Sequence, residues 1–123
     1  MSNDRIPVHV EAQPKFLGQH EDKFAFAYTI SITNRSDKVI TLRNRHWIIT
    51  HADGSVEEVI GEGVIGETPE LAPGKSYSYT SGALIPTPMG SMRGTYGFVT
   101  ADGQSFRAEI PEFVLRNPDA QLH

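Results

Sequence analysis

The segment Gly61-Glu62-Gly63-Val64-Ile65-Gly66 has the spacing G-x-G-x-x-G. In dinucleotide-binding proteins that spacing lets the backbone approach a pyrophosphate, which then rests on a helix N-terminus. Here the next residues are Glu67-Thr68-Pro69-Glu70-Leu71-Ala72-Pro73-Gly74. Two prolines and a turn forbid the required helix, and Glu62 and Glu67 would repel phosphate. The pattern carries chemistry only in a strand–helix context, so the segment reads first as a glycine-rich loop between strands. A second reading keeps an anion on the loop's backbone N–H groups. Arg43 and Arg45, two residues apart and so on one strand face, would assist. Gly61, Gly63, Gly66, Arg43 and Arg45 are thus the candidate ligand-binding residues. If the loop meets a protein instead, Glu62, Val64, Ile65 and Glu67 are the candidate contacts.

Other reactive side chains do not converge. His46 and His51 differ in parity along one strand and point to opposite faces, as do Glu57 and Glu58. His20-Glu21-Asp22 could hold a cation loosely but reads more simply as a solvated turn. Ser81 lies in Tyr79-Thr80-Ser81-Gly82, which lacks the G-x-S-x-G elbow. There are no cysteines, which removes disulfides, thiolate metal sites and a Cys nucleophile. We therefore expect no catalytic residues, no metal site, no cofactor and no enzymatic activity.

Charge narrows the partners. Eleven Lys and Arg against fifteen Asp and Glu give a net charge of −4, which disfavours nucleic acid. Between Arg45 and Lys75 there is no Lys or Arg, but there are six acids: Asp53, Glu57, Glu58, Glu62, Glu67 and Glu70. No apolar run reaches the ~18 residues of a membrane span, and MSNDRIPVHVEAQPK does not resemble a signal peptide. The default location is the cytoplasm, without membrane attachment.

The elements that must position these residues are strands. From Lys23 to Asn34, Phe24, Phe26, Tyr28, Ile30 and Ile32 alternate with Ala25, Ala27, Thr29, Ser31 and Thr33, a period of two. A second run, Lys38–Ala52, changes parity: Ile40 and Leu42 are even, Trp47 and Ile49 odd. A bulge near Asn44-Arg45-His46 puts all four on one face. Otherwise Ile48 joins Leu42 in the core and Trp47 lies outside. The bulge is preferred, because it buries the single Trp. Ala52-Asp53-Gly54 and Ala101-Asp102-Gly103 mark hairpins. At the second, a three-residue loop would set Phe98 opposite Phe106 and Tyr96 opposite Ala108, with Gly103 at positive φ. Pro73-Gly74 reads as a type II turn into Lys75–Leu84, and Val8–Lys15 is a plausible first strand. No segment has helical apolar spacing. About seven or more short antiparallel strands fit an all-β, two-sheet sandwich of the immunoglobulin or fibronectin type III kind, a single domain over residues 1–123.

The stretches RHWIITHADG (Arg45–Gly54), GEGVIGETPELAPG (Gly61–Gly74), YTSGALIPTPMGSMRGTYGF (Tyr79–Phe98) and ADGQSFRAEIPEF (Ala101–Phe113) resemble the bacterial ApaG family, with matching spacing over nearly the whole chain. The resemblance implies a fibronectin type III-like sandwich. It also implies an association with cobalt and magnesium tolerance. The family name derives from a gene neighbourhood shared with a diadenosine tetraphosphate hydrolase. Similar domains are appended to eukaryotic F-box proteins and to a polymerase delta-interacting protein, which implies a protein-interaction role. It supplies no catalytic residue, and its glycine motif maps onto Gly61, Gly63 and Gly66 without a settled ligand.

Two functions from different classes follow. One is a protein-binding module, since sandwiches recognise partners with edges and loops; edge strands could also join two copies as a homodimer. The other is a small-anion or nucleotide binder using the glycine loop. Within Glu57–Glu70 the glycines would serve either a crossing between sheets or close approach of a partner.

Overall fold

The structure, a computed structural model, describes residues 6–119. The single-domain expectation for residues 1–123 extends past it at both ends, since residues 1–5 and 120–123 lie outside the described residues. The described residues form eight strands: β1 (Val8–His20), β2 (Lys23–Asn34), β3 (Ile40–His51), β4 (Val56–Glu62), β5 (Glu70–Leu71), β6 (Ser76–Ile85), β7 (Met89–Thr100) and β8 (Ser105–Arg116). No helix occurs among the described residues, hence none long and apolar enough to cross a membrane.

The strands form two antiparallel sheets. One has the order β1-β2-β6; the other has the order β4-β3-β7-β8, with β5 also beside β3. In β2 the period of two is realised as read: Phe26, Tyr28, Ile30 and Ile32 are buried. Their alternate neighbours face out, where Thr29–Thr80, Ser31–Ser78 and Thr33–Ser76 pair hydroxyl to hydroxyl at 2.8–2.9 Å across β2 and β6. These opposed pairs hold the strands in register.

The β3 bulge is real and sits at Arg43, just before the expected position. Leu42 pairs with Phe98 and Asn44 with Gly97, leaving Arg43 unmatched. Ile40, Leu42, Trp47 and Ile49 all end up buried. Trp47 is the centre of the core, its ring 5.4 Å from Tyr28, 5.9 Å from Phe113 and 6.2 Å from Tyr96 in edge-on contacts.

Both Ala-Asp-Gly hairpins use the same three-residue loop. The Thr100 N–H donates to Gln104 O and the Gly103 N–H to Thr100 O; the His51 N–H donates to Ser55 O and the Gly54 N–H to His51 O. Gly54 and Gly103 have φ of 88° and 93°. Phe98 opposes Phe106 and Tyr96 opposes Ala108, as the three-residue loop requires. The Lys75 N–H bonds to Ala72 O with Gly74 at φ 81°, a type II turn.

Two expectations need correction. The first strand does not stop at Lys15. A bulge between Phe16 and Gly18 lets it continue to His20, and Glu21-Asp22 make the turn into β2. Nor does the glycine-rich stretch cross between sheets. β4 and β5 lie on the same edge of β3, because the stretch between them steps around the Arg43 bulge. The crossing comes later, at the Pro73-Gly74 turn.

Replacing Trp47 with Ala should cost about 3–5 kcal/mol, read by denaturant titration against wild type. As the only tryptophan, it should also emit at short wavelength when folded and shift red on unfolding. A variant melting within a few degrees of wild type would contradict its central place in the core.

Candidate functional site

The glycine loop is built on the β3 bulge. A bulged residue leaves its backbone unmatched in the ladder. Here the Arg43 carbonyl accepts a hydrogen bond from the Gly63 N–H (2.8 Å), and the Leu42 N–H donates to Pro69 O (3.0 Å). Between these closures lies a two-residue turn. The Val64 N–H donates to Glu67 O (2.9 Å) and the Glu67 N–H to Val64 O (2.8 Å). Ile65 and Gly66 occupy its centre at φ 42° and 80°, the left-handed pair of a type I′ turn. Gly63 is itself at φ 60°, and a Cβ there would stand 2.2 Å from Glu67 O. Only glycine fits.

Arg45 locks this arrangement from within. The bulge reverses parity, so Arg45 turns toward the space between the sheets while Arg43 is exposed in a depression with Asn44 and Arg107. The two arginines therefore do not share a face, contrary to their spacing. Arg45 Nη1 donates to the carbonyls of Glu62 and Gly63, both at 2.9 Å. Its guanidinium covers Gly61, where a Cβ would meet it at 2.8 Å.

This geometry decides what the loop can offer. An anion would need free backbone N–H groups, yet those of Gly63, Val64 and Glu67 are engaged internally. Arg45 spends Nη1 on carbonyls. Val64 is fully buried, so it plugs the core and is no partner contact. Ile65 stands 55% exposed beside the exposed Glu62, Gly66 and Glu67.

A second feature was not legible in the sequence. β1 packs against β8 along one side of the sandwich. On the other, β4 and β6 are both sheet edges and border a cleft of about 250 Å³, lined by Tyr28, Arg45, Trp47, Glu57, Ser81 and Ile85 among others. In the core the buried Tyr79 and Tyr96 hydroxyls bond to each other. Burial pushes both phenols well above their ordinary range, so they stay neutral. At the end of β3, His51 Nδ1 meets Ser55 Oγ at 3.0 Å. His51 Nε2 is buried without a hydrogen-bond partner, 3.5 Å from Glu57 Oε1. On the outer face His46 Nε2 lies 3.3 Å from Glu58, so the parity reading of both pairs holds. Finding the cleft requires knowing that β4 and β6 are edges, which is a matter of strand order. Among the described residues no three His, Asp or Glu side chains come together as a metal site would need.

The loop's role predicts an order of destabilisation. Gly66→Ala meets open space but a left-handed φ, costing about 1–2 kcal/mol. Gly63→Ala adds a backbone collision to that strain and should cost clearly more, in chemical denaturation of both variants. Equal costs would contradict the closed-loop geometry.

A family model described as the ApaG domain matches residues 14–100. The chain is 53% identical over 115 residues to the ApaG protein of Shewanella pealeana, covering 90% of this chain and 91% of that one. It is 46% identical over 122 residues to that of Shewanella frigidimarina, covering 96% and 97%. A crystal structure of a Bordetella pertussis protein described as ApaA superposes with a TM-score of 0.88 at 40% identity, covering 94% and 97%. With these matches spanning both sheets of the fibronectin type III-like sandwich, the chain belongs to the ApaG family.

Proposed function

We propose that this protein is a non-enzymatic, cytoplasmic interaction module whose ligand is another protein. The observation that carries the reading is the closure of the glycine loop. The Gly63, Val64 and Glu67 amides are engaged within the loop, and the loop shows solvent Glu62 and Glu67 instead. Large apolar side chains are meanwhile exposed near the sandwich edges: Val56 (60%) and Ile60 (73%) on β4, Leu84 (55%) on β6. Exposed apolar groups beside charged ones suit a protein partner. Any bearing on cobalt or magnesium homeostasis would then run through that partner. The acidic stretch from Asp53 to Glu70 favours a basic partner, whose association should slow as salt rises.

The test is a thermal-shift series with ATP, diadenosine tetraphosphate, MgCl2 and CoCl2. A genuine ligand at a hundredfold excess over its Kd stabilises by about 2.7 kcal/mol, roughly 8 °C or more for a domain of this size. We expect no such shift. Saturable micromolar binding of either nucleotide would overturn the reading and restore the anion site.

A further inference from the structure

Among the described residues the sandwich has four sheet edges, and three of them are protected in the ways natural sheets use against unwanted pairing. β1 carries Pro14 and the bulge at Leu17. β8 carries Pro111 and four charged residues, and these two strands pack against each other. β4 is short and bears Glu57, Glu58 and Glu62. β6 has none of these devices. Its ten residues, SYSYTSGALI, contain no charge and no proline, and pair with β2 without a register break from Thr33–Ser76 to Phe24–Ile85. Among the described residues no strand lies on its other side.

The cleft lies along this bare edge. Residues Ser81 to Ile85 of β6 form one wall, β3 and β4 the other, with Tyr28 and Trp47 at its floor and Glu57 on the far rim. At about 250 Å³ it falls below the roughly 300–1,000 Å³ of small-molecule pockets. It suits one or two side chains. A strand added to β6 would direct every second side chain into this space, so the edge and the cleft together describe one binding mode.

Charge selects the occupant. If two copies paired β6 to β6, the sheets would become continuous and the two β4 edges would approach on the same side. Glu57, Glu58 and Glu62 of each would then face like charges. A segment carrying Lys or Arg meets the opposite situation. Glu57 Oε1 lies 3.5 Å from the buried His51 Nε2 and makes no hydrogen bond to it, so its carboxylate can receive a cation from the cleft.

We propose that β6 is the docking edge for an extended segment of a partner protein, in which apolar residues entering the cleft alternate with or flank a Lys or Arg that reaches Glu57. This rests on the interaction-module reading and specifies its surface and the partner's chemistry. It predicts backbone pairing as the main source of affinity and side-chain choice as the source of specificity.

The test uses a displayed library of random decapeptides selected against the intact protein. Enriched peptides should be extended, apolar and basic, and should slow amide exchange along β6. N-methylating alternate backbone amides of a selected peptide should abolish binding. Glu57→Lys should weaken it at least tenfold and Glu57→Gln less, both with melting temperatures near wild type. Peptides that protect another surface, or that are indifferent to N-methylation and to Glu57, would overturn the β6 assignment while leaving an interaction module in place. Failure to enrich any peptide would overturn it as well; nucleotide binding in the thermal-shift series would remove the underlying reading too. A concentration-dependent dimer by sedimentation, with β6 amides protected without peptide, would assign the edge to a second copy and contradict the proposal.

Discussion

One unpaired residue organises this molecule. The bulge at Arg43 shifts the phase of β3, and without that shift Leu42 and Trp47 could not both be buried. Because strand side chains alternate with a period of two, a single extra residue is the smallest device that exchanges the faces of everything beyond it. The same shift exposes Arg43 and turns Arg45 inward. It also leaves a carbonyl that the Gly63 N–H must satisfy. The glycine loop is thus a consequence of the core's demand on β3.

The sandwich divides its polar groups accordingly. Inside, the Tyr79–Tyr96 hydroxyl pair and the buried Asn34, which donates to Lys38 O and Leu71 O, meet the requirement that buried polar atoms be bonded. Outside, the Ser and Thr pairs of β2 and β6 tie two strands together without charge. That second choice leaves β6 uncharged along its whole length. The feature that stabilises one face of the sheet therefore also leaves its edge able to accept another strand.

Much of this was legible in the residues, because the signals were local. Alternation fixed β2; the parity change from Leu42 to Trp47 required the bulge; Asp-Gly and Pro-Gly pairs specified loops that the structure reproduces at Gly54, Gly74 and Gly103. The site was read less well, for a physical reason. Whether Gly63 offers its N–H to a ligand or to Arg43 depends on which strand lies beside it, and Arg45's spacing from Arg43 misleads once a bulge intervenes. Val64 and Ile65 read alike as an apolar pair on the loop, yet Val64 faces inward. The cleft needs two sheets and their edge order before it exists at all.

The central claim is that the glycine loop is closed on itself, so that recognition falls to the sandwich's open side. Residue-resolved amide exchange on the free protein tests it most directly. The account predicts slow exchange at Gly63, Val64 and Glu67, comparable to the β3–β7 ladder, and fast exchange for the outward amides of β6. Loop amides exchanging as rapidly as those of exposed chain would mean that they are available to a ligand, and would contradict the account.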